Sequence, residues 1–224
     1  MGFAGKRWWC MRDFCVGEPM PEYFGCAGDV DPPYASREDL TRDEVSALFG
    51  YQDIGLPEHA WDCPLCRGEL HRDCYVMNRG LRDGAFFAGL SLHDRMLFLR
   101  LRGLIDSAIA KSVLPESIAV VKGLGDSAWI SEKKVGGTFT DEGYGSFSMN
   151  PQVALRYAGC NCSGERVFVV RELAAGSRAL YMDAAEEEVL VGRGVRYKVV
   201  EILHFSAADS LWGMRAIVYI VEER

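Results

Sequence analysis

The stretch LYMDAAEEEVLVGRGVRYKVV, Leu180 to Val200, sets two apolar runs on either side of three consecutive carboxylates, Glu186, Glu187 and Glu188. If Val189, Leu190 and Val191 begin a strand, alternation sends Glu186 and Glu188 to one face and Glu187 to the other. Two carboxylates then project together from a strand edge, an arrangement suited to stabilising a developing cation. The same letters also describe a solvated acidic turn between strands, and the triplet alone does not choose between the two.

Working outward, the second half of the chain is rich in strand signals. Arg166 to Leu173, Ala179 to Met182, Tyr197 to Phe205 and Ala216 to Val221 are apolar and β-branched runs separated by Gly, Ser and charged residues. The middle of the chain is helical. Ser91 caps a predicted helix to about Ser112, with Leu92, Met96, Leu99, Leu104, Ile105, Ala108 and Ile109 as its apolar face. Asn150 before Pro151 caps a second predicted helix, Gln152 to Ala158. Thr41 and Glu44 form a capping box for a third, stopped by Gly50. Between them Ile118 to Val121 reads as a buried strand feeding Lys122-Gly123-Leu124-Gly125, a turn that lacks the glycine spacing of a dinucleotide fingerprint. Helices mostly first and strands mostly last give the class α+β.

Composition narrows the function. The 224 residues are 49% hydrophobic and carry a formal charge of −7, which argues against nucleic acid as a partner. No apolar run is long enough to span a bilayer, so no membrane partner is expected either. Lys6 and Arg7 lead into Trp8, Trp9 and Cys10 rather than an apolar core, so no signal peptide is visible. Six of the eight cysteines lie before residue 75. Residues 1–74 therefore read as a Cys-rich segment preceding a main domain over 75–224. Cys63-Pro-Leu-Cys66 resembles a zinc knuckle, with Cys10, Cys15, His71 and Cys74 as further candidate ligands of a structural zinc. The alternative is a set of buried reduced thiols, since free cysteine packs as a small apolar side chain.

Taken in order, these signals resemble the ADP-ribosyltransferase exoenzyme family, which includes the enzymatic components of binary actin-modifying toxins. The resemblance runs from about Tyr75 to Val221. Asn78-Arg79-Gly80-Leu81-Arg82 is similar to the family's Asn-x-x-Leu-Arg segment. PESIAVVKG (115–123) is similar to its strand ending in Tyr-Arg-Gly, and GTFTDEGYGSFSMNPQVALRYA (137–158) to the stretch bearing its Ser-Thr-Ser motif. RVFVVRELAAGSRALYM (166–182) matches the following strands, and Glu186-Glu187-Glu188-Val189-Leu190 matches Glu-x-Glu-Val-Leu.

The resemblance implies a two-sheet β core with flanking N-terminal helices, and transfer of ADP-ribose from NAD to a protein side chain. Glu188 falls at the family's catalytic glutamate. Glu186 falls where glutamate accompanies arginine as the acceptor, and Ser146 falls at the serine that orients the catalytic carboxylate. Arg82, Lys122, Gly123, Ser146, Phe147 and Ser148 fall on positions that bind NAD. Phe147 replaces the middle threonine, either as an aromatic wall for nicotinamide or as core filling. For Arg82 the alternative is a surface charge at a helix start. Lys122 replaces the family arginine before glycine, and lysine keeps the charge but loses the bidentate fork. Three functions remain open: a protein mono-ADP-ribosyltransferase, an NAD glycohydrolase, and a decayed binding module. The expected partner is an acceptor protein of a host or target cell, with the chain a secreted or injected effector, or otherwise cytoplasmic.

Overall fold

Thr41 and Glu44 cap the first helix reciprocally: Thr41 Oγ1 accepts from Glu44 N at 3.2 Å, and Glu44 Oε2 accepts from Thr41 N at 2.7 Å. The computed structural model describes residues 37–52, 74–183, 186–210 and 213–224. Helix α1 is Arg42–Gln52, so Gly50 does not stop it. Tyr51, in the added turn, is fully buried, and its hydroxyl accepts from Asn78 Nδ2 at 3.0 Å. Burial of that ring outweighs the small helix penalty of one glycine. Helices α2 (Cys74–Arg82) and α3 (Gly84–Gly89) follow, then the long α4 (Leu92–Lys111), whose cap Ser91 accepts from Asp94 N as expected.

The buried face of α4 differs from the predicted one. Phe98, Leu101, Ile105, Ala108 and Ile109 face the core. Leu92 and Met96 are 68% and 65% exposed, and Leu99 is 41% exposed. Choosing Leu92 as the start of the stripe rotates it off Phe98, whose ring packs against Gly80 on α2 and Phe87 on α3.

The strands are β1 (Ile118–Gly123), β2 (Thr138–Asp141), β3 (Gly145–Ser148), β4 (Arg166–Leu173), β5 (Ala179–Asp183), β6 (Glu188–Val191), β7 (Val195–Phe205) and β8 (Ala216–Glu223). Two short helices interrupt them, α5 (Ala128–Ser131) and α6 (Pro151–Tyr157), the second capped by Asn150 with Pro151 at its first turn. Hydrogen bonding links all eight strands in the order β2-β7-β8-β4-β1-β3-β6-β5. The expected two sheets are two parts of this array. The five strands from β2 to β1 and the three strands β3, β6 and β5 meet through a single register pair, Val121↔Ser148.

Period-two alternation assigns each strand face. Val120, Val167, Val169, Tyr197 and Tyr219 from the larger part join Phe147, Val189, Val191 and Tyr181 from the smaller part in one inner cluster. The other face of the smaller part, with Leu180, Met182 and Leu190, packs under α1, α2 and α4. Helix α6 covers the outer face of the larger part through Ala154, against Val121, Phe168 and Val170. Arg42–Gln52 thus shares a core with α2 and α4. A cleft opens where the two parts of the sheet diverge, and the helices α1, α2, α5 and α6 form its rim.

Candidate active site

Glu188 is the first residue of β6 and pairs with Ser148, while Ser146 pairs with Leu190 two residues on. Ser146 is therefore the diagonal neighbour of Glu188 on the same face of the sheet, within side-chain reach. Its Oγ donates a short hydrogen bond to Glu188 Oε1, and Gln52 Nε2 from the end of α1 donates to Oε2 at 3.3 Å. The Glu188 residue is only 8% exposed, so these donors offset part of the cost of burying a carboxylate.

Glu186 reaches the cleft by a turn rather than by strand alternation. Glu187 has φ of 47°, the left-handed region that costs a non-glycine residue local strain. Three bonds hold the turn there. Ser148 Oγ donates to Glu186 O at 2.7 Å, Met149 N donates to Glu187 O at 3.0 Å, and Asn150 Nδ2 donates to Glu187 Oε1 at 3.3 Å. Glu187 thereby serves the turn, while Glu186 and Glu188 both border the cleft. Tyr157, the last residue of α6, donates its hydroxyl to Glu186 Oε1 at 2.6 Å. Burial, reinforced by that carboxylate, holds the Tyr157 phenol above its usual range, so it stays a donor at neutral pH.

Cationic groups line the same cleft on the α2 side. Arg82 ends α2 and donates from Nε and Nη2 to Asp141 at 2.9 and 3.1 Å. Lys122 Nζ, on β1, lies 3.7 Å from the same carboxylate. Burial, with Arg82 adding to it, pulls the Lys122 ammonium below its usual range against the opposing pull of Asp141. Asn78, one turn before Arg82, accepts from Tyr144 N at 2.7 Å and donates to Tyr51, pinning α2 to the strand that carries Ser146. Gly143 permits this closeness: a Cβ there would lie 2.7 Å from both Arg82 Nη2 and Asn78 Oδ1.

The remaining wall is aromatic. Trp129 and Phe139 meet edge-on at 5.1 Å, and Phe139 leans on Tyr197 at 5.2 Å. Phe147 belongs to the inner core yet borders the cleft, with Lys122 Nζ 5.7 Å from its ring centroid. The ring thus fills the core as one reading expected, and its edge borders the cleft. Beneath it Arg171, 2% exposed, bonds Tyr197 OH at 2.8 Å and Glu223 at 2.6 Å. The cleft has a volume of about 770 Å³.

Every residue predicted for catalysis or NAD binding borders this one cleft: Glu186, Glu188, Ser146, Phe147, Ser148, Lys122, Gly123 and Arg82. The candidate zinc ligands Cys10, Cys15, Cys63, Cys66 and His71 lie outside the described residues. Cys74 starts α2 and borders the cleft, and the described residues contain no group of three side chains able to hold a metal ion. Gln52, Tyr157 and Asp141 were missed by sequence reasoning. The partner of each is 29 to 136 residues away, so no local pattern marks it.

No protein-family model matches the sequence, and no curated protein is significantly similar to it in sequence. Solved structures are similar in fold. The C3larvin toxin, an ADP-ribosyltransferase from Paenibacillus larvae, superposes with a TM-score of 0.54 at 18% identity, over 83% of this chain and 97% of its own. C3stau2 from S. aureus, solved with NAD, gives 0.54 at 17% identity over 83% and 89%. The ADP-ribosyltransferase Vis in complex with agmatine gives 0.56 at 16% identity over 84% and 78%. The chain has the fold of the ADP-ribosyltransferase exoenzymes.

Proposed function

We propose that the chain is a mono-ADP-ribosyltransferase that cleaves NAD, releases nicotinamide and transfers ADP-ribose to an arginine of an acceptor protein. The observation carrying this reading is Glu188, buried at the cleft floor, bonded to Ser146, with Glu186 beside it on the same opening. A volume of about 770 Å³ is in the range that encloses small-molecule ligands, and the cleft has an acidic end and a cationic end. Arg82 and Lys122 suit the diphosphate of a dinucleotide; Arg82 brings a fork and Lys122 a point charge. The aromatic wall suits its flat bases.

As the bond between nicotinamide and ribose breaks, nicotinamide leaves with the bonding electrons and positive charge develops on the sugar. A carboxylate fixed beside that carbon stabilises the transition state more than the ground state. Glu188 fills this role, with Ser146 and Gln52 fixing its two oxygens. The acceptor nitrogen then bonds the same carbon and gives up a proton. A guanidinium is protonated at neutral pH and must lose that proton to attack, so it needs a second carboxylate, and Glu186, aimed by Tyr157, supplies it. A guanidinium compound, agmatine, occupies the Vis complex, which supports arginine as the acceptor type.

Labelled NAD incubated with the protein and a cell lysate should label acceptor protein, and mass spectrometry should place the adduct on arginine. Glu188→Gln should abolish both labelling and nicotinamide release. Glu186→Gln should abolish labelling while nicotinamide is still released. Release of nicotinamide by the native protein with no labelled acceptor would assign it as a glycohydrolase, with water as the nucleophile. Undiminished labelling in Glu188→Gln would remove the mechanism.

A further inference from the structure

Asp141 has no role in the reaction above, yet it occupies the centre of the cationic end of the cleft. It ends β2, and its carboxylate is met by four donors: Arg82 Nε at 2.9 Å, Arg82 Nη2 at 2.8 Å, Gly143 N at 3.0 Å and Lys122 Nζ at 3.7 Å. The fork of Arg82 is the feature that would hold a phosphate bidentately, and one face of it is already filled by a carboxylate of the chain itself. The backbone around it is built for the contact. Gly194 N donates to Asp141 O at 2.8 Å, and a side chain at position 143 would collide with Arg82.

The charge balance follows directly. Arg82 and Lys122 supply two positive charges where the diphosphate would lie, and Asp141 cancels one of them. An incoming diphosphate must compete with an anion that is covalently tethered and hence present at high effective concentration. We propose that Asp141 is an internal counter-anion that competes with the diphosphate for Arg82 and Lys122 and sets the affinity for NAD by having to be displaced. The proposal rests on the reading of the cleft as an NAD site and specifies how that site is tuned. It makes NAD binding an exchange of ion pairs: those of Arg82 and Lys122 with Asp141 are traded for contacts to phosphate. Such an exchange releases few net counterions, so it responds weakly to salt, whereas binding to an uncompensated pair of cations responds strongly.

Calorimetric titration of the native protein and Asp141→Asn with NAD and with inorganic pyrophosphate tests this. Asparagine keeps the size of the side chain and the acceptor for Gly143 N while removing the charge. Expected is binding of both ligands tightened by roughly threefold to tenfold in the variant, with a steeper loss of affinity on adding salt. General damage to the site would weaken binding rather than tighten it. Unchanged or weaker binding in a folded variant, with the native protein still binding NAD, overturns the counter-anion role and leaves the transferase reading standing. Failure of the native protein to bind NAD overturns both. If the variant does not fold, the native protein alone decides: a dissociation constant for pyrophosphate nearly flat in salt supports the exchange, and a steep rise overturns it.

Discussion

Glu44 and Glu188 are both buried carboxylates, and their donors differ in kind. Glu188 is held by a hydroxyl and an amide. Glu44 accepts from the Lys111 ammonium at 2.7 Å, from Ser107 Oγ at 2.6 Å and from Thr41 N. Burial alone would raise the pKa of Glu44, but the bonds from Lys111, Ser107 and Thr41 outweigh it and bring it down to about 2. A carboxyl depressed on folding stabilises the native state above its unfolded pKa, and this contribution fades as pH falls through the folded one. Between about pH 4.5 and pH 2 the protein should therefore lose on the order of 3 kcal/mol from this residue. Urea unfolding of the native protein and Glu44→Gln should show a clear difference at pH 7 that has largely closed near pH 2. A constant gap across that range would show that Lys111 and Ser107 do not hold the charge. Glu44 pins α1 to α4, and Gln52 at the far end of α1 holds Glu188, so the same variant should also weaken the site.

Helix α6 shows how a single missing methyl group positions an element. Gly123 ends β1, and a Cβ built there would lie 2.0 Å from Ala154 O and 2.7 Å from Ala158 N, both backbone atoms. The helix can approach β1 only because position 123 has no side chain. Gly123→Ala should push α6 away, cost roughly 2 to 3 kcal/mol by overpacking and withdraw Tyr157 from Glu186. Thermal unfolding would read the first effect, and loss of protein labelling relative to nicotinamide release the second. A variant with native stability and native labelling would mean the helix sits elsewhere.

The element boundaries also mark what was readable from the chain. The caps Ser91, Asn150 and Thr41 act over three residues or fewer, and each lies where its letters place it. Strands β4, β5 and β8 follow runs of apolar residues within two positions. The motif residues fell in one cleft because they sit on neighbouring strands and the helices beside them. What could not be read was set by distant packing. Tyr51 carries α1 past Gly50 because Asn78 and Tyr144 receive it. Glu186 reaches the cleft through the left-handed turn at Glu187, although simple alternation pointed the same way for a different reason. Asp141 follows Thr140 in an edge strand and reads as a surface acid until Arg82, 59 residues earlier, is folded against it.

Summed over the molecule, the charges favour one substrate over the other. The chain carries a formal −7. Within the cleft, Arg79, Arg82 and Lys122 face the carboxylates of Asp126, Asp141, Glu142, Glu186 and Glu188. Carboxylates outnumber cations over the cleft as a whole, although Arg82 and Lys122 exceed Asp141 at the end suited to a diphosphate. A concave surface of one dominant sign concentrates ligands of the opposite sign, and on the reading proposed above that ligand is the cationic guanidinium of the acceptor. The acceptor should therefore be drawn in by the long-range field, and NAD should be held by short-range contacts to Arg82, Lys122 and the aromatic wall. Salt separates the two, because at about 0.15 M the field is screened beyond about 8 Å while direct contacts persist. With a small guanidinium acceptor, kcat/KM should fall roughly threefold to tenfold as sodium chloride is raised from about 0.05 to about 0.5 M. Over the same range kcat/KM for NAD should change much less. Steady-state rates of nicotinamide release and acceptor modification, measured with each substrate varied in turn, give both numbers. An acceptor term indifferent to salt would mean that the carboxylates of the rim act only by contact, and that the net charge of the cleft has no part in bringing the acceptor to Glu186.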